Sequence, residues 1–250
     1  MNISQSENLS THKTLSLIAL AALAAFLLTV MPVITIFNYP FRLLITIVHE
    51  LGHGLTALLT GGEFLHFVVF SDGSGVATSA GGWRVFIVPA GYLGAALFGA
   101  SLILLGRSLR WSRIALAVIG GLMMLLSLRY GAPGIFSGHI FSAILTTVSG
   151  LLFGIMFLWI AFRASASWII FFLHLIAIEA ALMAFSDLMT VITLSTPFAG
   201  GTNTDAASMA ELTFIPAIIW AMLWAVMAIG LVGGAIWFTW IKPLVDDGKG

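Results

Sequence analysis

The chain is 250 residues long, 60% hydrophobic and only 8% charged, with a mean hydropathy of +1.10. Soluble domains carry about 25% charged residues, so lipid rather than water must solvate most of this surface. The formal net charge is zero, which removes a nucleic-acid function built on a basic face, and the absence of cysteine excludes disulfides and thiolate metal sites.

In chain order, residues 1–14 are polar and read as a disordered tail. Leu15–Met31 is apolar and stops before Pro32. With no small-residue cleavage site after it, it reads as a first membrane helix rather than a removed signal. A second helix, from about Asn38 or Phe41 to Thr60, carries His49, Glu50 and His53, and Gly61-Gly62 ends it. Phe64–Phe70 and Val76–Ser79 flank the turn signal Asp72-Gly73-Ser74-Gly75, a β-hairpin with apolar residues on both faces. Open strand edges are tolerated at membrane depth only against protein or a cavity, so the hairpin belongs beside the helix it follows.

Further spans are expected at 83–105, 114–128, 140–162, 168–194 and from 214 or 215 to 240. Arg107, Arg110 and Arg113 form a short basic loop, and 195–212 a polar one. The expected fold is an all-α polytopic membrane protein of about seven transmembrane helices (six to eight), with a membrane-associated β-hairpin after the second. Residues 15–241 form one integral membrane domain and 242–250 a short polar tail. Small residues four apart (Gly91, Ala95, Gly99; Gly150, Gly154; Gly230, Gly234) read as close helix packing inside the bundle. With seven spans, Lys13, Arg84 and Arg129 share one side. Arg42, Arg107, Arg110, Arg113, Arg163, Lys242 and Lys249 share the other, which charge bias assigns to the cytoplasm with the hairpin outside.

His49 and His53 stand four apart, so both imidazoles can face one metal ion, and Glu50 projects beside them. Two imidazoles and a carboxylate in an apolar segment are costly enough to point to function by default. The chemistry is that of a zinc site with Glu50 as general base. Catalytic zinc needs a third protein ligand. Asp187, Glu179 and His174 on the sixth helix and His139 before the fifth are candidates within the membrane. Asp205 and Glu211 lie in the polar loop and could be solvated or capping residues. Measured from helix ends, Asp187 lies at the depth of the motif to within roughly 5 Å; measured from helix starts, Glu179 fits better.

The H-E-L-G-H-G helix, the Gly-Gly break, the apolar hairpin and P-A-G-Y-L-G at 89–94 together resemble the site-2 protease family of intramembrane zinc metallopeptidases, in its compact bacterial branch without a PDZ domain. The likeness is densest over 41–105 and looser around Asp187-Leu188 and Thr204-Asp205-Ala206. It implies a zinc-dependent endopeptidase of the cell membrane, cutting membrane-embedded protein substrates within the lipid bilayer. His49 and His53 would be zinc ligands, Glu50 the base and Asp187 the third ligand, with Glu179 or Asp205 as alternatives. The hairpin residues Phe64, His66, Val68 and Phe70 would line the substrate. The family's aspartate stands in a Leu-Asp-Gly context, whereas here the sequence is Ser186-Asp187-Leu188, and the family's site lies toward the cytosol, opposite to the charge bias. A catalytically inactive relative and a metal-binding transporter are the rival readings.

Overall fold

The computed structural model describes residues 11–30, 35–195 and 204–242. Helix α1 (Thr11–Val30) takes in Thr11–Thr14, which composition alone put in the tail; residues 1–10 and 243–250 lie outside the described residues. The apolar run propagates helix backwards by a turn, because each added residue gains a hydrogen bond once a helix is nucleated.

A 3₁₀ turn (Thr35–Asn38) leads into α2 (Tyr39–Leu59), which carries the His-Glu-His motif and has Pro40 in its first turn. Strands β1 (Glu63–Val69) and β2 (Gly75–Ala80) form the expected antiparallel hairpin, with Phe67 opposite Ala77 and an irregularity between Phe64 and His66. At its tip Ser74 donates both its backbone N–H and its hydroxyl to Asp72 Oδ1, at 2.9 and 2.7 Å, while Gly73 takes φ +84°. The hairpin folds back along α2: Gly62 abuts Gly82 at its base, and Gly73 lies against Arg42 at its tip.

The span expected at 83–105 is divided. A single turn, α3 (Arg84–Ile87), stops before Pro89, and α4 (Ala90–Leu105) starts after it, since proline lacks the N–H a continuous helix would use. Helix α5 (Leu109–Leu126) starts earlier than expected, so Arg110 and Arg113 sit in its first turns rather than in a loop, and Arg113 donates to the Ala161 carbonyl at 3.0 Å. A π-turn and a 3₁₀ turn extend it to Ser137. Then come α6 (Ile140–Arg163) and α7 (Ala166–Leu194). Part of the expected polar loop is helix: α8 (Asp205–Thr213) is capped by the Thr204 hydroxyl, which accepts the Ala207 N–H at 3.2 Å. Helix α9 (Ala217–Ile236) continues through a π-turn to Ile241.

Five of these helices (α1, the α5 unit, α6, α7 and the α9 unit) are long and apolar enough to cross a membrane, and α4 is a shorter apolar one. The protein is a polytopic helical membrane protein. Its bundle directions follow from contacts. Gly106 abuts His174 and Gly99 abuts Ala177 and Ala180, so α4 is antiparallel to α7; Arg113 meets Ala161 and Ser127 meets Gly150, so α5 is antiparallel to α6. Ala21 and Ala25 pack with Leu175 while Thr29 shares a cavity with Glu179 and Met183, so α1 runs parallel to α7.

Helix α2 does not thread this bundle from end to end. Arg42, in its first turn, shares a cavity with Asp187 and Thr190, while Gly52, ten residues on, abuts Ala90 and Gly91 beside Val88, which clusters with Leu188 and Val191. Both points on α2 therefore lie against the same C-terminal part of α7.

Small-residue packing holds for Gly91, Ala95 and Gly99 and for Gly150 and Gly154: a Cβ on Gly154 would strike Met124 and the Gly120 carbonyl, and one on Gly150 would strike Ser127. It does not hold for α9, where a Cβ on Gly230 or Gly234 would meet open space among the described residues.

Candidate metal centre

The site is assembled from three non-adjacent pieces of chain. Helix α2 supplies His49 and His53, one turn apart on the same face, with Nε2 atoms 3.0 Å from each other. The first residue of α8 supplies Asp205, whose Oδ2 lies 3.2 Å from His49 Nε2 and 3.3 Å from His53 Nε2. The turn before α4 supplies the Ile87 carbonyl, which accepts the His53 Nδ1–H at 2.8 Å. That bond fixes the His53 tautomer with its Nε2 lone pair facing the cluster, the usual way a protein orients a ligating histidine. His49 is held edge-on by the ring of Tyr92, at 4.6 Å between centroids, and Tyr92 in turn stacks on Trp224.

These three residues are the group among the described residues that could hold a metal ion. Their donor atoms form a nearly equilateral triangle. Tetrahedral zinc with bonds of about 2.0–2.2 Å needs ligand atoms roughly 3.3 Å apart, so the triangle fits the ion without rearrangement. The donor chemistry fits too: two imidazoles and one carboxylate, with the fourth position left for a water or substrate.

Glycine makes this closeness possible. A Cβ on Gly91 would collide with Nε2 of both His49 and His53, and one on Gly52 would collide with the Ala90 carbonyl, so both must be glycine for α4 to reach α2. On the other side of the motif Glu50 is buried against β2, where a Cβ on Gly75 would strike its Oε1.

The other sequence candidates fall elsewhere. Asp187 stands outside the three-residue cluster and lines a cavity of about 420 Å³ with Arg42, Thr46 and Glu179. Glu179 is fully buried, and neither of its oxygens has a hydrogen-bond partner among the described residues. His174 is buried near Gly106, its Nδ1–H donated to the Ile170 carbonyl at 2.8 Å. His139 precedes α6 with its ring against Phe70, and Glu211 is exposed on α8.

Of the hairpin residues, Phe64 and Val68 are buried in the protein: Phe64 stacks on Tyr130 and fills the notch left by Gly54, and Val68 lies against Gly134. His66 is half-buried beside the Thr78 hydroxyl. The outer edge of β1 is engaged by α6, since the Val69 N–H donates to Thr146 Oγ1 at 2.6 Å. The outer edge of β2, beside Glu50, has no strand partner among the described residues.

Asp205 entered the sequence reading only as an alternative in a loop. The signal available for it was the Thr204-Asp205 pair, an N-cap followed by an acid in a first helical turn. Tyr92, Gly91 and the Ile87 carbonyl carried no separate signal beyond P-A-G-Y-L-G.

A helical membrane bundle with a His-Glu-x-x-His helix against a short hairpin, and an aspartate closing the imidazole pair, defines the class of site-2 protease-like intramembrane metallopeptidases. A family model described as Peptidase M50B-like matches residues 18–235, and the chain belongs to that family, whose members are zinc metallopeptidases. No curated protein and no solved structure matches the chain.

Proposed function

We propose that this chain is a zinc-dependent endopeptidase that hydrolyses peptide bonds of membrane-embedded proteins, with His49, His53 and Asp205 as the metal ligands and Glu50 as the proton carrier. The observation that carries the reading is the 3.0–3.3 Å triangle of His49, His53 and Asp205 donor atoms with Glu50 one residue along the same helix. Zinc at that position supplies Lewis acidity and acidifies water.

The protein's own groups supply the rest. Glu50, packed against Gly75 of β2, accepts a proton from the attacking water on a carboxylate oxygen and returns it to the leaving amine. His53, tied to Ile87, and His49, flanked by Tyr92, keep their Nε2 atoms converged through that exchange. A helical substrate has its carbonyls hydrogen-bonded and must unwind before it can be cut. The open edge of β2 suits an extended peptide, because strand addition satisfies the backbone groups that unwinding frees. The buried Phe64 and Val68 hold the hairpin in place, and the β2 edge does the pairing.

The test is zinc content and cleavage measured together. Glu50→Gln should keep about one zinc per chain and lose 10²–10⁴-fold in cleavage rate, the range typical of a removed general base. Full activity in that variant would sink the mechanism.

A further inference from the structure

The cavity that takes in Asp187 lies outside the metal cluster, and its wall contains polar groups that the protein leaves unsatisfied. It encloses about 420 Å³ between α2, α7 and the hairpin tip, with Thr29 contributed by α1. Two of the residues that line it carry three buried acceptor oxygens: Asn38 Oδ1 and both oxygens of Glu179. None of the three has a hydrogen-bond partner among the described residues. Glu179 is fully buried. A carboxyl without a partner in a membrane-spanning helix is costly and points to function by default.

Two hydrogen bonds hold the wall in place. The Thr46 hydroxyl donates to the Gly73 carbonyl at 2.8 Å, and the Tyr39 hydroxyl donates to the Ser71 carbonyl at 3.0 Å. They tie the hairpin tip to the first turns of α2. Arg42, lying along Gly73, and Asp187 are both exposed and stand where the cavity opens, so Glu179 is the acid left over. Three orphaned acceptors and a surplus acid suit a ligand that brings N–H donors and positive charge. A lysine ammonium has three donors and no acceptor.

The cavity also adjoins the chemistry. A Cβ on Gly75 would strike Thr46 Cγ2 and Glu50 Oε1 together, so the first residue of β2 touches both the cavity wall and the base. A peptide paired along the open edge of β2 passes Gly75 and then reaches Gly73, which lines the cavity. From Glu179 to Thr190 the cavity follows α7 for about 16 Å, a length that an extended peptide covers in about five residues.

Given the protease reading, on which this assignment rests, we propose that the cavity is a subsite for a lysine side chain of the membrane-embedded substrate. That lysine lies within about five residues of the cut bond, and Glu179 and Asn38 accept from its ammonium. The substrate class is a membrane segment with lysine near its end, because such a side chain runs along apolar surface until its charged group finds a polar partner.

The test reads binding and needs no cleavage. In the full-length Glu50→Gln protein, affinity for acetyl-Leu-Leu-Lys-Leu-Leu-amide is compared with affinity for its norleucine counterpart by isothermal titration calorimetry in detergent. Adding Glu179→Gln should weaken the lysine peptide roughly tenfold, the loss expected of a hydrogen bond to a charged group, and leave the norleucine peptide unchanged. Partitioning into micelles differs between the peptides but is the same for both proteins, so it cancels. Asn38→Asp adds a carboxylate to the same wall and should tighten the lysine peptide, a gain that a misfolded protein cannot give.

Lysine-peptide binding that is absent, or unmoved by both substitutions, overturns the proposal and leaves the zinc and cleavage test of Glu50→Gln untouched. The expected shifts in a chain whose wild type cuts nothing would keep the site and remove only the protease reading. Butylammonium chloride separates the two sources of an ammonium group. If it binds as tightly as the lysine peptide, the cavity takes a free amine and the substrate assignment is overturned.

Discussion

Asp205 and Asp187 separate two ways of reading a zinc site. Depth along helices leaves Asp187 and Glu179 both open, and the structure puts the Asp205 carboxylate within 3.3 Å of both imidazoles and Asp187 in a neighbouring cavity with Arg42. Asp205→Asn should therefore strip zinc from the purified protein, while Asp187→Asn should leave about one ion per chain; atomic emission on both variants decides it, and the opposite result would restore Asp187. Gly91 offers a sharper test, because its substitution adds no chemistry. Gly91→Ala pushes a methyl into both Nε2 atoms and should weaken zinc affinity by at least 10–100-fold, the loss typical when the support of metal ligands is disturbed. A Gly91→Ala protein with unchanged affinity would show that α4 stands off from the cluster.

Polar contacts tie the hairpin to α6 and set its turn. Thr146 is fully buried on α6, and its hydroxyl accepts the Val69 N–H while donating to the Ser142 carbonyl. Thr146→Val leaves a buried amide unpaired and should cost about 1–3 kcal/mol, read as a lowered thermal midpoint in detergent. At the hairpin tip, the Ser74 backbone N–H and then its hydroxyl hold the Asp72 carboxyl below its ordinary pKa. A lowered native value means that the turn's stabilisation is present above the unfolded pKa and is lost as pH falls through the native one. A carboxyl NMR titration should place Asp72 below other exposed aspartates, and Ser74→Ala should move it up. Element type was legible where period and punctuation agreed, as in the hairpin with its Asp-Gly-Ser-Gly turn. Boundaries were less so. Pro89 splits one expected span, and the polar stretch around Asp205 is a helix that composition alone reads as loop.

For the molecule as a whole, metal and fold are linked, since an ion that binds only the assembled triangle stabilises the state that assembles it. Stripping zinc with a chelator should abolish cleavage and lower the thermal midpoint; zinc at 100 times its dissociation constant should restore about 2.7 kcal/mol. A midpoint indifferent to chelation would mean that the three residues do not hold an ion. The sequence by itself determined the solvent, the helical class, the hairpin and the three motif residues, because hydropathy and a four-residue spacing are local properties. The carboxylate that joins the imidazole pair, the open edge of β2 and the course of α2 across one end were decided only by the tertiary structure. Each depends on which helices run parallel, and a hydrophobic span reads much the same in either direction.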